Sequence, residues 1–248
     1  MKRLVVTADD FGLSPGVVAG IVEAHQQGIV TATSLMVNAP ATQDAFRQAR
    51  ANPSLAIGLH FVLTFGEPVG PRKPLGALLD KDGHFRRWDA GERDRVSPGQ
   101  VREELRAQLQ RFENGVGRPP THIDGHHHVH AVPGVLTAVI EEARGLSIPV
   151  RSPDEPSRSR LRREGIPTDD HFVETFYGEG FVGESPLLEI LKGLEEGTSE
   201  LMCHPATVDD TLASLTSYRE PRYEELRTLT SERVRRALVD LGIELTNR

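Results

Sequence analysis

Between Thr121 and His130 the chain reads Thr-His-Ile-Asp-Gly-His-His-His-Val-His, five histidines and one aspartate in ten residues. Imidazole is the commonest metal-binding side chain, and a carboxylate beside it orients the ring or binds the ion itself. Read as an extended strand running into a loop, the stretch alternates between two faces. His122, Asp124, His126, His128 and His130 then share one face, and Ile123, Gly125, His127 and Val129 the other. So dense a polar face is costly to bury without partners. A solvated tract or a tag would explain the composition, but the run lies mid-chain between apolar segments, which favours a metal site.

Three other places carry matching chemistry. Asp9 and Asp10 follow the apolar run Leu4–Ala8, and adjacent carboxylates repel unless a cation or a proton relieves them. If one binds a metal, the other is left as a base toward water. Alone, the pair would read as a solvated turn or a helix cap. His60 closes the apolar segment Leu55–Leu59, and His204 sits in Met-Cys-His-Pro after another such segment. His60 reads as a ligand, and His204 as a general acid. One carboxylate and two histidines with open positions is a common catalytic metal arrangement that suits zinc, with magnesium, manganese or iron admissible. Within the histidine stretch, His126 and His128 are both candidates for the second imidazole. Cys203 reads as buried and inert, and His25, His84 and His171 as structural or surface residues.

The elements that must position these residues follow from the apolar spacing. Strands are predicted at Lys2–Ala8, Thr33–Val37, Leu55–Leu59, Ile148–Val150, His171–Thr175, Glu200–Cys203 and Ile243–Leu245, besides the histidine stretch. Helices are predicted from Pro15, capped by Ser14, to Gly28, and at Thr42–Ala51, Pro98 to about Gly115, Pro133–Ala143 and Leu187–Glu195. A last helix runs from Tyr223 or Ser231 to Leu241. The segments 153–167 and 206–221 read as polar excursions. The stretch 66–98, rich in proline and glycine and holding Trp88, reads as a long lid or substrate-contact loop.

Alternation of strand and helix with seven or eight strands predicts an α/β fold, a TIM-like (β/α) barrel in a single domain spanning 1–248. Asp9, Asp10, His60, His126 and His204 all fall at strand carboxyl ends, where such barrels place their sites. A doubly wound sheet is the alternative, but the chain lacks a glycine-rich nucleotide fingerprint.

The 248 residues carry a formal net charge of −7, which argues against nucleic acid held by electrostatics. A lone cysteine excludes an internal disulfide and fits a reducing compartment. The opening apolar run is too short for a signal peptide, and no run reaches membrane-spanning length, so a soluble cytoplasmic protein is expected. A homodimer is compatible with the sequence, with Trp88 able to reach a partner subunit or a substrate ring.

Thr7-Ala-Asp-Asp-Phe-Gly12, Leu55–Thr64, Pro120–His130 and Met202–Ala206, together with Phe176-Tyr-Gly-Glu179 and Pro221-Arg222, resemble the YdjC-like carbohydrate deacetylases along nearly the whole chain. Thr7 and Gly125 depart from the asparagine and serine frequent there. The resemblance implies a TIM-like barrel, a divalent metal ion (zinc or magnesium), and hydrolysis of an N-acetyl group from a small amino sugar such as diacetylchitobiose, as in chitin degradation. It further implies that Asp10, His60 and His126 bind the metal, with His128 able to replace His126. Asp9 would be the base and His204 the acid. Competing readings are a metal-dependent phosphoesterase or other amidohydrolase, and a non-catalytic sugar-binding protein.

Overall fold

The computed structural model describes residues 1–93 and 95–247; Asp94, inside the predicted long loop, and Arg248 lie outside them. Among the described residues there are seven strands: β1 (Lys2–Phe11), β2 (Ala32–Leu35), β3 (Ala56–Phe61), β4 (Ile123–Gly125), β5 (His171–Val173), β6 (Gly197–Cys203) and β7 (Ile243–Leu245). Helices alternate with them. This is the α/β class expected, the (β/α) alternation of a TIM-like barrel with seven strands.

The chain divides into two compact units, residues 1–34, 40–56 and 169–248 in the first and 35–39 and 57–168 in the second. In the first unit β1 is central. It runs parallel to β6 from Lys2 opposite Gly197 to Ala8 opposite Cys203, and its start pairs with β7. Leu4 to Phe11 are all buried, which is why an unbroken apolar run rather than an alternating one encodes this strand. The helix Pro15–Gln27 begins where predicted, Ser14 Oγ accepting from Val17 N at 3.2 Å. The helix predicted at Thr42–Ala51 has those bounds.

In the second unit β3 and β4 are parallel, and the register sets His60 opposite Asp124. Opposed residues of neighbouring strands project from the same face, so the two side chains meet. Behind them Gly58 is required, because a Cβ there would collide with the imidazole of His122. The helix Pro98–Val116 pins the chain that leaves β3. Gln108 brackets Val62, accepting from its N–H at 3.0 Å and donating to its carbonyl at 2.7 Å. Buried Glu104 accepts from Val69 N and Gly70 N.

Several expectations need correction. The histidine stretch is extended only over Ile123–Gly125; His126–Ala131 form a 3-10 turn in which His127 and His128 have φ of 55°. The alternating face therefore ends at Gly125. An extended chain would carry His130 roughly 20 Å from Asp124, whereas the turn draws it back to bond Arg151 O at 3.1 Å. Residues 148–150 supply one bridge, Val150 to Ile123, rather than a strand. The polar excursion 153–167 contains the helix Glu155–Arg163, capped by Asp154. The segment 206–221 holds the helix Asp210–Leu215, and the last helix is two, Glu220–Leu229 and Glu232–Asp240.

The long loop is largely structured, with helical turns at Arg72–Leu75 and Ala90–Arg93 and an antiparallel bridge between Leu79 and Phe85. Trp88 is 8% exposed and lines a small cavity with Thr64, Arg87, Arg93, His127 and Val129. No helix among the described residues is long and apolar enough to cross a membrane.

Candidate active site

The second unit holds a pair of neighbouring imidazoles. His60, in β3, and His126, just past β4, have ring centroids 5.5 Å apart, and each offers a ring nitrogen within 4.8 Å of the other's. One cation can bind two nitrogens so placed. His60 Nδ1–H donates to Asp124 Oδ1 at 2.7 Å, which leaves the acceptor lone pair on Nε2. Asp124 is fully buried and also binds Arg151 Nη2 at 2.9 Å. Burial by itself raises its pKa, but Arg151 and His60 together hold the carboxyl well below the usual range, so it stays ionised. The result is the carboxylate–histidine brace typical of metal ligands.

The other histidines divide by role. His128 lies edge-on to His130 at 6.1 Å, while the rings facing His126 are those of His60, Phe65 and His127. Burial pushes His130 down to about 3, so it is neutral at physiological pH. His122 is buried against Gly58, its Nδ1 2.9 Å from Thr121 Oγ1. His127 bridges Thr64 Oγ1 at 2.8 Å and Arg87 Nη2 at 3.0 Å. It thereby ties the long loop to the histidine turn around a small cavity of about 130 Å³ that Trp88 also lines.

The first unit holds its own carboxylates and His204. Asp9 and Asp10 end β1, 3% and 2% exposed. Asp10 has φ of 68°, a left-handed conformation rare outside glycine and found at functional sites. Its Oδ2 accepts from Arg222 Nη2 at 2.6 Å, a buried ion pair. His204 follows β6. Its backbone N–H donates to Glu225 Oε2, and its ring lies 5.4 Å from that of Tyr177 and 6.0 Å from that of Tyr218. Tyr218 O–H donates to Glu225 Oε1 at 2.6 Å. Burial drives Glu225 up to about 8, against the lowering pull of those hydrogen bonds and of Arg222. Cys203 is buried, as expected.

The sequence matches the profile of the YdjC-like protein family over residues 3–240. The chain belongs to that family. A carbohydrate deacetylase of Thermoanaerobacter pseudethanolicus is 39% identical over 248 residues, covering 100% of this chain and 98% of the relative. A chitooligosaccharide deacetylase of Serratia marcescens is 39% identical over 253 residues, covering 98% and 97%. A solved structure from Enterococcus faecalis, provisionally described as a cellobiose-phosphate cleavage protein, superposes with a TM-score of 0.91 at 35% identity, covering 99% of this chain and 97% of that one. A family 4 acetyl xylan esterase from Clostridium thermocellum, solved with a cobalt ion, reaches a TM-score of 0.55 at 13% identity, which speaks to the fold alone.

Three residues of this surrounding went unremarked in the sequence, Arg151, Glu225 and Tyr218, and Arg222 entered only as part of the family resemblance, with no role attached. Asp124 was legible as a member of the histidine stretch, although its partner is His60 rather than another residue of that stretch. Nothing local marks the two arginines, since each reaches its carboxylate only through the fold.

Proposed function

We propose that this chain is a divalent-metal-dependent carbohydrate deacetylase, hydrolysing the N-acetyl group of a small amino sugar such as diacetylchitobiose to acetate and a free amine. The observation that carries the reading is the His60–His126 pair braced by Asp124, in a chain whose relatives are named carbohydrate and chitooligosaccharide deacetylases. Asp10, His60 and His126 hold the ion, zinc or magnesium. The pairing of His128 with His130 favours His126 as the second imidazole. The donor set fits such an ion: one carboxylate and two imidazoles, one of them with its tautomer fixed.

When bound, the ion supplies Lewis acidity for the acetamide carbonyl and lowers the pKa of water. Asp9 takes the proton of the attacking water. Arg222 pairs with Asp10 and so offsets part of the negative charge beside Asp9. His204 protonates the departing nitrogen, because an amide nitrogen leaves poorly as an anion. Glu225 and the two tyrosines fix the peptide and ring of His204 for that transfer. We also place the enzyme in the cytoplasm, as one domain of residues 1–248.

The test is product analysis with diacetylchitobiose and the divalent-loaded protein. Acetate with a free amine is expected. Phosphate from phosphorylated disaccharides in place of acetate would assign phosphoesterase chemistry instead, and tight sugar binding without any product would leave a binding protein.

A further inference from the structure

Within the first unit a cavity of about 770 Å³ opens between the residues after β5 and the helix Glu220–Leu229, a volume in the range of small-molecule sites. Tyr177 and Tyr218 line it, stacked at 4.4 Å, and these are the rings that flank His204. Tyr177 is 49% exposed, a large aromatic face left beside an open cavity. Three carboxylates complete the wall, Glu179, Glu220 and Glu224, with no lysine or arginine among the described lining residues. Glu224 pairs with Arg227 at 3.2 Å and Glu220 with Arg219 at 3.9 Å, and exposed pairs of this kind are weak. Among the described residues no ion pair reaches Glu179.

Aromatic faces and carboxylates share one preference, for a cation with some apolar body. A glucosamine ring has that form: an ammonium group at neutral pH on a ring that can lie against tyrosine. The cavity adjoins the histidine assigned as proton donor to the leaving amine. It is therefore placed to hold the sugar next to the one that loses its acetyl group.

We propose that this cavity is a subsite for an amino-sugar ring bearing a free, protonated amine, so that partly deacetylated oligosaccharides are preferred substrates. The inference rests on the deacetylase reading for its place in catalysis, while the cavity's preference for an ammonium sugar stands independently of it.

Two readouts test it. The first is calorimetric titration of the fully deacetylated disaccharide into the wild type and the Glu179→Gln/Glu224→Gln variant, whose altered side chains are solvent-accessible and leave the core intact. Wild-type binding weakened about tenfold or more in the variant is expected, the scale of losing carboxylate–ammonium attraction near a surface. The second compares acetate release from the disaccharide with one acetyl and one free amine against that from diacetylchitobiose. The wild type should favour the former in kcat/KM by about tenfold. In the variant the ratio should approach unity.

Equal binding by the two proteins, or a substrate ratio the variant does not alter, overturns the proposal. Variant-sensitive binding without acetate from any substrate supports the cavity assignment and overturns the deacetylase reading.

Discussion

Replacing Asp124 with asparagine separates its two tasks. The carboxylate lies 2.7 Å from His60 Nδ1 and 2.9 Å from Arg151 Nη2, and none of the three side chains is more than 2% exposed. Loss of its charge takes the anionic partner from the buried Arg151 guanidinium, and removing one partner of such a pair costs roughly 3–5 kcal/mol. It also removes the acceptor that fixes the His60 tautomer, a change that typically lowers metal affinity ~10–100-fold. Urea unfolding reads the first effect, and competition against a chromophoric chelator the second. In the double variant Asp124→Asn/Arg151→Met both charges of the pair are gone, so most of the stability should return while metal affinity stays low. Recovery of both together, or a single variant within about 1 kcal/mol of wild type, would refute the reasoning. The acid limb gives a further check. Asp124 is held well below its ordinary value of 3.8, so its stabilisation is present above that value and is lost as the pH falls through the folded-state value. Stability of the asparagine variant should depend less on pH in that region.

Asp9→Asn should keep its metal content and lose ~10²–10⁴ in kcat, the usual contribution of a positioned base, and full turnover would remove Asp9 from that role. Glu225, raised from 4.5 to about 8, holds a proton in the folded state that the unfolded chain has already released. Stability should thus fall as the pH rises through this window, by up to about 5 kcal/mol. Glu225→Gln should flatten the decline, and unfolding curves with the same pH dependence as wild type would contradict the assignment.

Much of this arrangement was legible where one segment encodes both its element and its chemistry. The unbroken apolar run before Asp9 specified a buried strand with carboxylates at its end. The helix at Thr42–Ala51 and the strand at Ile243–Leu245 were read to the residue. The helix Glu155–Arg163 was hidden because it buries only Ser157 and Leu161 and is otherwise mostly charged, so no apolar period shows. The histidine stretch misled through its regularity: alternating residue types suggest a strand, but left-handed backbone at His127 and His128 turns the chain toward the helix at Pro133. Arg222 lies 212 positions from the aspartate it pairs with, and only the fold reveals that partner.

The most direct measurement is acetate release from diacetylchitobiose before and after stripping the protein with chelator and adding back single divalent metals, with His60→Ala carried in parallel and metal content assayed throughout. The account predicts that activity disappears on stripping and returns with one metal, while His60→Ala retains neither metal nor activity. Full activity in the stripped protein, or wild-type metal content in His60→Ala, would contradict it.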